Sequence, residues 1–376
     1  MLITSDAYTQ LEDTLAKMAE AAELDQTRWA RMKSAYEGIS KWLSEDPGFF
    51  GEVEIEIYPQ GSVSIGTTTK PYGKTEFDLD VIIHIKLLSS DYEPEAIFNE
   101  VVRRLNENET YQKMSESKSR CVRLNYKGDF HLDVVPGCMV VVYDDKLIDI
   151  PDQKSKIWLR SCPKGYQSWF IDIANRVELT FLEKAFSANK VEIEEYSKKK
   201  PLQRAVQLIK MDRNIYFNEN PENAPASIIL TTLAAQFYDG QPSISETFEG
   251  IISKIRNHIQ TLYIIKPFKL PNPVNPSENL ADVWDDKPEL YRHFIAFIEQ
   301  LYSDWQELKE SHGIEKEAEL MKGMFGENPY IKAMEAKADV VNKRRGNGLG
   351  ILPSGVMIGH KIEKSLPVKP NTFYGD

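Results

Sequence analysis

Apolar residues recur at helical spacing through the first 46 positions of this chain. Leu11, Leu15, Met18 and Ala22 form one stripe, and Trp29, Met32, Tyr36, Ile39 and Leu43 form a second. Residues 5 to about 46 are therefore expected as helix, with both stripes packed. From residue 52 the period changes to two. Val53, Ile55 and Ile57 alternate with Glu52, Glu54 and Glu56, which predicts a half-buried strand over 52–58. The nearly continuous apolar run Val81-Ile-Ile-His-Ile85 predicts a buried strand over 78–87. Val122, Leu124 and Tyr126, then Phe130, Leu132 and Val134, alternate on either side of Lys127-Gly128-Asp129. They predict a hairpin of strands 119–126 and 130–135. A further strand is expected at 138–143, and a helix at 94–107 through Ala96, Phe98, Val101, Val102 and Leu105. Beyond about residue 175 the pattern is helical: 177–196, 201–218, 226–238, 245–263, 288–310 and 330–343. The proline-rich stretch 267–276 reads as a surface loop.

Chemistry concentrates where the pattern turns from strand to strand. Asp78 and Asp80 stand two apart at the head of the apolar strand, so both carboxylates project from one face. A buried strand does not carry two such charges at its mouth without a counter-charge. Hard carboxylate ligands select Mg²⁺ or Mn²⁺. Upstream, Gly61 and Ser62 offer small side chains, a hydroxyl and accessible N–H groups, which suit a phosphate. Asp133, on the later hairpin, is placed to lie beside the Asp78/Asp80 strand. Three carboxylates around two divalent ions are what attack of a hydroxyl on an α-phosphate requires. Asp133 is also placed to accept the attacking hydroxyl's proton. This is the active-site pattern of a nucleotidyltransferase.

Gly-Ser, then Asp-x-Asp, then a distal Asp is the hallmark of the polymerase-β-like nucleotidyltransferases, and the surrounding words narrow the likeness. Pro59-Gln-Gly-Ser-Val-Ser-Ile-Gly-Thr67, Phe77-Asp-Leu-Asp-Val81 and Leu132-Asp-Val-Val-Pro136 resemble the phosphate loop, metal strand and third-carboxylate strand of the cGAS/DncV-like nucleotidyltransferases. The segment Trp158 to Phe170, Pro201 to Lys210 and Asn272 to Trp284 are similar to later signatures of that family, so the resemblance runs from about 50 to about 285. It implies an α+β fold: a polymerase-β-like mixed sheet with a long N-terminal helical segment, plus an all-α C-terminal lobe. The expected divisions are 1–47, 48–195, 196–345 and a tail over 346–376.

The resemblance further implies an Mg-dependent enzyme, with two ions, that condenses nucleoside triphosphates into a cyclic di- or trinucleotide messenger of bacterial anti-phage defence. ATP is the expected substrate, with GTP or a pyrimidine triphosphate as further candidates, and a downstream effector would receive the product. Gln60, Gly61 and Ser62 would bind nucleotide. Lys210 matches the helical-lobe lysine that touches triphosphate, although its pattern also fits a solvated helix lysine. Ser227 fits a capping serine and equally a hydroxyl at a helix start facing phosphate. Lys70 and Lys74 fit phosphate screening or solvated loop charges, and His131 fits a structural histidine.

Composition narrows the alternatives. The 376 residues are 41% hydrophobic, enough for a large core in two lobes. A net charge of −11 argues against extensive nucleic-acid binding. Transfer of nucleotides to RNA, a small molecule or a protein stays open, as does a non-catalytic nucleotide sensor. Cys121, Cys138 and Cys162 have no metal-ligand spacing and read as reduced thiols. With neither signal peptide nor membrane span in the sequence, the expected location is the cytoplasm. The tail, rich in glycine and proline, reads either as a frayed end or as a recognition segment over 365–376 for an accessory protein, given Phe373 and Tyr374.

Overall fold

The computed structural model describes residues 5–73, 77–126, 128, 130–176, 199–261, 267–311 and 313–346, and three two-residue strands at 350–351, 357–358 and 366–367. The expected helix 177–196, Lys74 and most of the tail, including Phe373 and Tyr374, lie outside the described residues.

The N-terminal stretch is two helices rather than one. Helix α1 spans Ser5–Ala21 and α2 spans Gln26–Ser44. Asp25 separates them: it is extended, and its side chain accepts from the Arg28 N–H at 2.9 Å. The break lets the two stripes serve different cores. Leu15, Met18 and Ala22 join the core of the helical lobe, whereas Met32, Ile39 and Leu43 join the core under the sheet. Tyr36 donates to the Ile57 carbonyl at 2.7 Å. Trp29, expected among the packed aromatics, is 47% exposed.

After a one-turn helix α3 (Phe49–Glu52), strand β1 occupies Ile55–Pro59, later than its alternation suggested. Next come α4 (Gly61–Ser64), β2 (Phe77–Leu88), α5 (Pro94–Asn106), α6 (Glu109–Met114), β3 (Ser115–Ser117) and β4 (Val122–Tyr126). Strand β5 (Phe130–Val141) is continuous where two strands were expected. Its first half pairs with β4, and its second half with β6 (Asp144–Asp152). Pro136, which has no N–H to donate, falls between those two paired stretches. Strand β7 (Ile157–Ser161) pairs with β6, and α7 (Pro163–Ala174) follows. The sheet order is β1-β2-β5-β4-β3, with β6 and β7 off the second half of β5. Strands β2 and β5 are parallel and all other pairs antiparallel, so the sheet is mixed.

The second lobe is helical: α8 (Pro201–Tyr216), α9 (Ser227–Phe237), α10 (Ile244–Thr261), α11 (Val283–Asp286), α12 (Pro288–Glu310), α13 (Ile314–Phe325) and α14 (Glu327–Gly346). Helix α1 lies against α14, α10 and α8. The expected proline-rich loop contains a small hairpin, β8 (Pro271–Asn272) with β9 (Asn275–Asn279), set against β7. No described helix is long and apolar enough to cross a membrane. Cys138 and Cys162 are buried and Cys121 half-buried, all as free thiols.

Candidate active site

Parity on β2 decides where the carboxylates point. Phe77, Leu79, Val81, Ile83 and Ile85 pack into the core shared with α2 and α5. Asp78 and Asp80 therefore face the other way. Strand β5 places Asp133 beside Asp80 and His131 beside Asp78, while Leu132 and Val134 enter the same core. Two neighbouring strands thus bring three carboxylates to one mouth.

Their electrostatics show a site short of positive charge. Burial, and then the charges of Asp133 and Asp78, push the Asp80 carboxyl up to about 7. The opposing cation is Arg123 of β4, directly across from Asp133. Its Nε and Nη2 donate to the two oxygens of Asp133, each at 2.8 Å, and Nη2 donates to Asp78 at 3.3 Å. The sequence reading missed this residue. Among the described residues no three His, Cys, Asp or Glu side chains form a ready-made ion cage. The donor set nevertheless fits a hard divalent cation. All its ligands are carboxylate oxygens, and a cation would offset the burial and the repulsion that hold Asp80 towards its neutral form.

The loop after β1 is built against these carboxylates. The Gln60 N–H donates to the Asp80 carbonyl at 2.8 Å. Gly61 adopts φ +63°, and a Cβ there would lie 2.8 Å from Asp80 Oδ2. Only glycine meets both conditions. The Ser62 hydroxyl accepts from the Thr68 hydroxyl at 3.3 Å.

Helix α8 then stitches the two lobes together at this loop. Gln203, Gln207 and Lys210 share one face at i, i+4 and i+7. They donate to the carbonyls of Ile65 at 2.9 Å, Thr68 at 2.9 Å and Thr67 at 3.0 Å. Lys210 is not the solvated helix lysine that its pattern allowed. It is buried, and desolvation, with Arg213 and Lys199 nearby, lowers its ammonium pKa to about 8. Ser227 opens α9 as its first residue, one position past the cap residue Ala226. Lys70 donates to the Ala21 carbonyl at the end of α1 at 3.0 Å.

Gln60, Gly61, Ser62, Asp78, Asp80, Lys210 and Ser227 all line one cavity of about 560 Å³ between the sheet and the helical lobe. Asp133 is buried and engaged by Arg123. The sequence reading missed Arg213 and Asn214, which line the cavity three and four residues beyond Lys210. Helical spacing from Lys210 pointed to them. Glu278 of β9, also on the wall, carried no such signal.

Known proteins resemble this chain in sequence and in fold. Residues 10–174 match the second messenger oligonucleotide or dinucleotide synthetase domain. A c-di-GMP synthase of Roseivirga ehrenbergii is 79% identical over 376 residues, covering all of both chains. The cyclic dinucleotide synthase CdnG of Bradyrhizobium diazoefficiens is 24% identical over 357 residues, 87% of this chain and 83% of that one. The structure of CdnG in complex with GTP superposes with a TM-score of 0.69 at 22% identity, covering 88% of this chain and 99% of that one. The DncV cyclic AMP-GMP synthase of Vibrio cholerae, in complex with nonhydrolysable GTP, gives 0.56 at 15% identity over 87% and 92% of the two chains. This chain belongs to the cGAS/DncV-like nucleotidyltransferases, a family of second-messenger nucleotide synthases within the polymerase-β-like superfamily.

Proposed function

We propose that this enzyme condenses two molecules of GTP into cyclic di-GMP. The observation that carries the reading is 79% identity, end to end, with a c-di-GMP synthase. The cavity supports it: Asp78, Asp80, a buried lysine and a glycine–serine turn line it, and Asp133 lies beside Asp80 on the neighbouring strand. In each of two steps a ribose hydroxyl oxygen forms a bond to an α-phosphorus, and the bond from that phosphorus to the bridging oxygen breaks. Each step releases one pyrophosphate and one proton.

The residues divide the work. Asp78, Asp80 and Asp133 would hold divalent cations, Mg²⁺ or Mn²⁺, which when bound supply electrostatic stabilisation of the charge that develops on the phosphate oxygens. The N–H groups around Gly61 and the hydroxyls of Ser62 and Ser227 grip the triphosphate. Lys210 lends it a positive charge in a desolvated wall. Asp133 takes the proton from the attacking hydroxyl. The product serves as a diffusible signal to a downstream effector in anti-phage defence.

Purified protein incubated with labelled GTP and Mg²⁺ tests the reading. A phosphatase-resistant product is expected from the wild type, and none from Asp80→Asn. Undiminished product from Asp80→Asn refutes the assigned chemistry, and product label that arises only from ATP or a pyrimidine triphosphate refutes the substrate.

A further inference from the structure

Outside the Asp78/Asp80 pair, Glu278 is the only carboxylate on the cavity wall among the described residues. It stands on β9, in the small hairpin set against β7. Its orientation is fixed by two asparagine amides. The Asn272 amide donates to Glu278 Oε2 at 2.8 Å, and the Asn275 amide donates to the same oxygen at 3.4 Å. Neither amide is free to turn. Asn272 Oδ1 accepts from the Val274 N–H at 3.1 Å, and Asn275 Oδ1 accepts from the Ser277 hydroxyl at 2.8 Å. Asn275 Nδ2 also donates to the Arg160 carbonyl at 2.9 Å. Both asparagines are 6% exposed. Among the described residues no donor reaches Glu278 Oε1, and no lysine, arginine or histidine pairs with the side chain. Glu278 is thus a pinned acceptor with one oxygen left for whatever fills the cavity.

Two buried amides spent on holding one carboxylate suggest that its direction matters. The remaining oxygen, Oε1, is acceptor-only, and its two lone pairs can take two neighbouring donors. Among the common bases, only guanine presents two adjacent N–H donors on its Watson–Crick edge, at N1 and the 2-amino group. Adenine puts an acceptor, N1, at the middle of that edge, where a carboxylate oxygen repels it. Cytosine likewise presents an acceptor there, and uracil a single donor flanked by carbonyls.

We propose that Glu278, held by Asn272 and Asn275, reads the N1–H and 2-amino donors of a guanine base and so makes the enzyme select GTP over ATP. The inference deepens the cyclic di-GMP reading and rests on it. The network also foretells what an amide would do at this position. In Glu278→Gln the donors from Asn272 and Asn275 require the carbonyl oxygen at the rear position. The new NH₂ group is then aimed into the cavity, where it opposes the guanine N–H donors and matches adenine N1.

The test compares kcat/KM for GTP, inosine triphosphate (which lacks the 2-amino group) and ATP, read as pyrophosphate release, for wild type and Glu278→Gln. The wild type should prefer GTP over inosine triphosphate by several-fold and over ATP by more. Glu278→Gln should reduce the GTP/ATP ratio by roughly ten- to a hundredfold, the discrimination a good paired-donor base contact provides. Unchanged ratios in Glu278→Gln overturn the inference alone. That would be the outcome if Glu278 held a ribose hydroxyl, since GTP and ATP would then suffer equally. A wild type that consumes ATP and ignores GTP overturns the cyclic di-GMP reading, and this inference with it. If Glu278→Gln folds poorly, the wild-type GTP to inosine triphosphate ratio decides, and equal use of the two contradicts the proposal.

Discussion

Gly61 combines two requirements that no other residue satisfies together. Its φ of +63° lies in the left-handed region, and its missing Cβ leaves room for Asp80 Oδ2. Gly61→Ala should cost about 1–2 kcal/mol from the backbone alone. It should also push Asp80 from its place, so activity should fall further than stability. Thermal melting and turnover measured side by side check this, and a variant that melts lower yet turns over normally contradicts it. Arg123 yields a different expectation. It places a positive charge where the proposed cations would bind, so Arg123→Gln should bind Mn²⁺ several-fold more tightly without nucleotide, while turnover falls because Asp133 loses its orienting partner. Titration of Mn²⁺ by electron paramagnetic resonance reads the first effect. Looser or unchanged Mn²⁺ binding refutes the placeholder role. At this scale the sequence was informative about residues whose strand parity is visible. Asp78, Asp80 and Asp133 could be placed by counting in twos. Arg123 could not, because a polar residue in an alternating strand looks like any solvated position until the partner strand is known.

Among the elements, α8 joins the sheet to the helical lobe. Its apolar positions Leu202, Val206 and Ile209 were legible, and they are buried. The adjoining polar stripe of Gln203, Gln207 and Lys210 was not, since nothing in the pattern announces that its partners are loop carbonyls over 130 residues earlier. Lys210 gives the stripe a pH signature. Its pKa is lowered to about 8, so below that value the side chain carries the charge that a triphosphate needs. Above it the free enzyme loses that charge, and affinity should weaken as pH rises from about 8 towards 10. The dissociation constant of a non-hydrolysable GTP analogue should show this slope in the wild type, and Lys210→Met should bind weakly with a flat profile in the same range. Equal slopes in both proteins remove Lys210 from the phosphate site. The break at Asp25 was written in the sequence as a capping residue, but continuous apolar periodicity on either side concealed it.

For the whole molecule, the reason for the split N-terminal helix becomes apparent. One half packs in the helical core and the other under the sheet, so α1 and α2 together join the two lobes. The mixed sheet and the helical lobe were readable from period and resemblance, and the structure has both. The hairpin of β6 and β7 was not, because the alternation Ile148-Asp149-Ile150 in β6 is only three residues long before Pro151. The β8–β9 hairpin was hidden by its prolines, and with it the wall that carries Glu278.

The account turns on what leaves the cavity. Purified enzyme with GTP and Mg²⁺ as its only substrates should be followed by mass spectrometry and by pyrophosphate release. The prediction is a cyclic product of two guanylate units, with two pyrophosphates released for each, and neither from an Asp78→Asn/Asp80→Asn double variant. A linear end product, a product formed only from other nucleotides, or normal turnover by the double variant would contradict it.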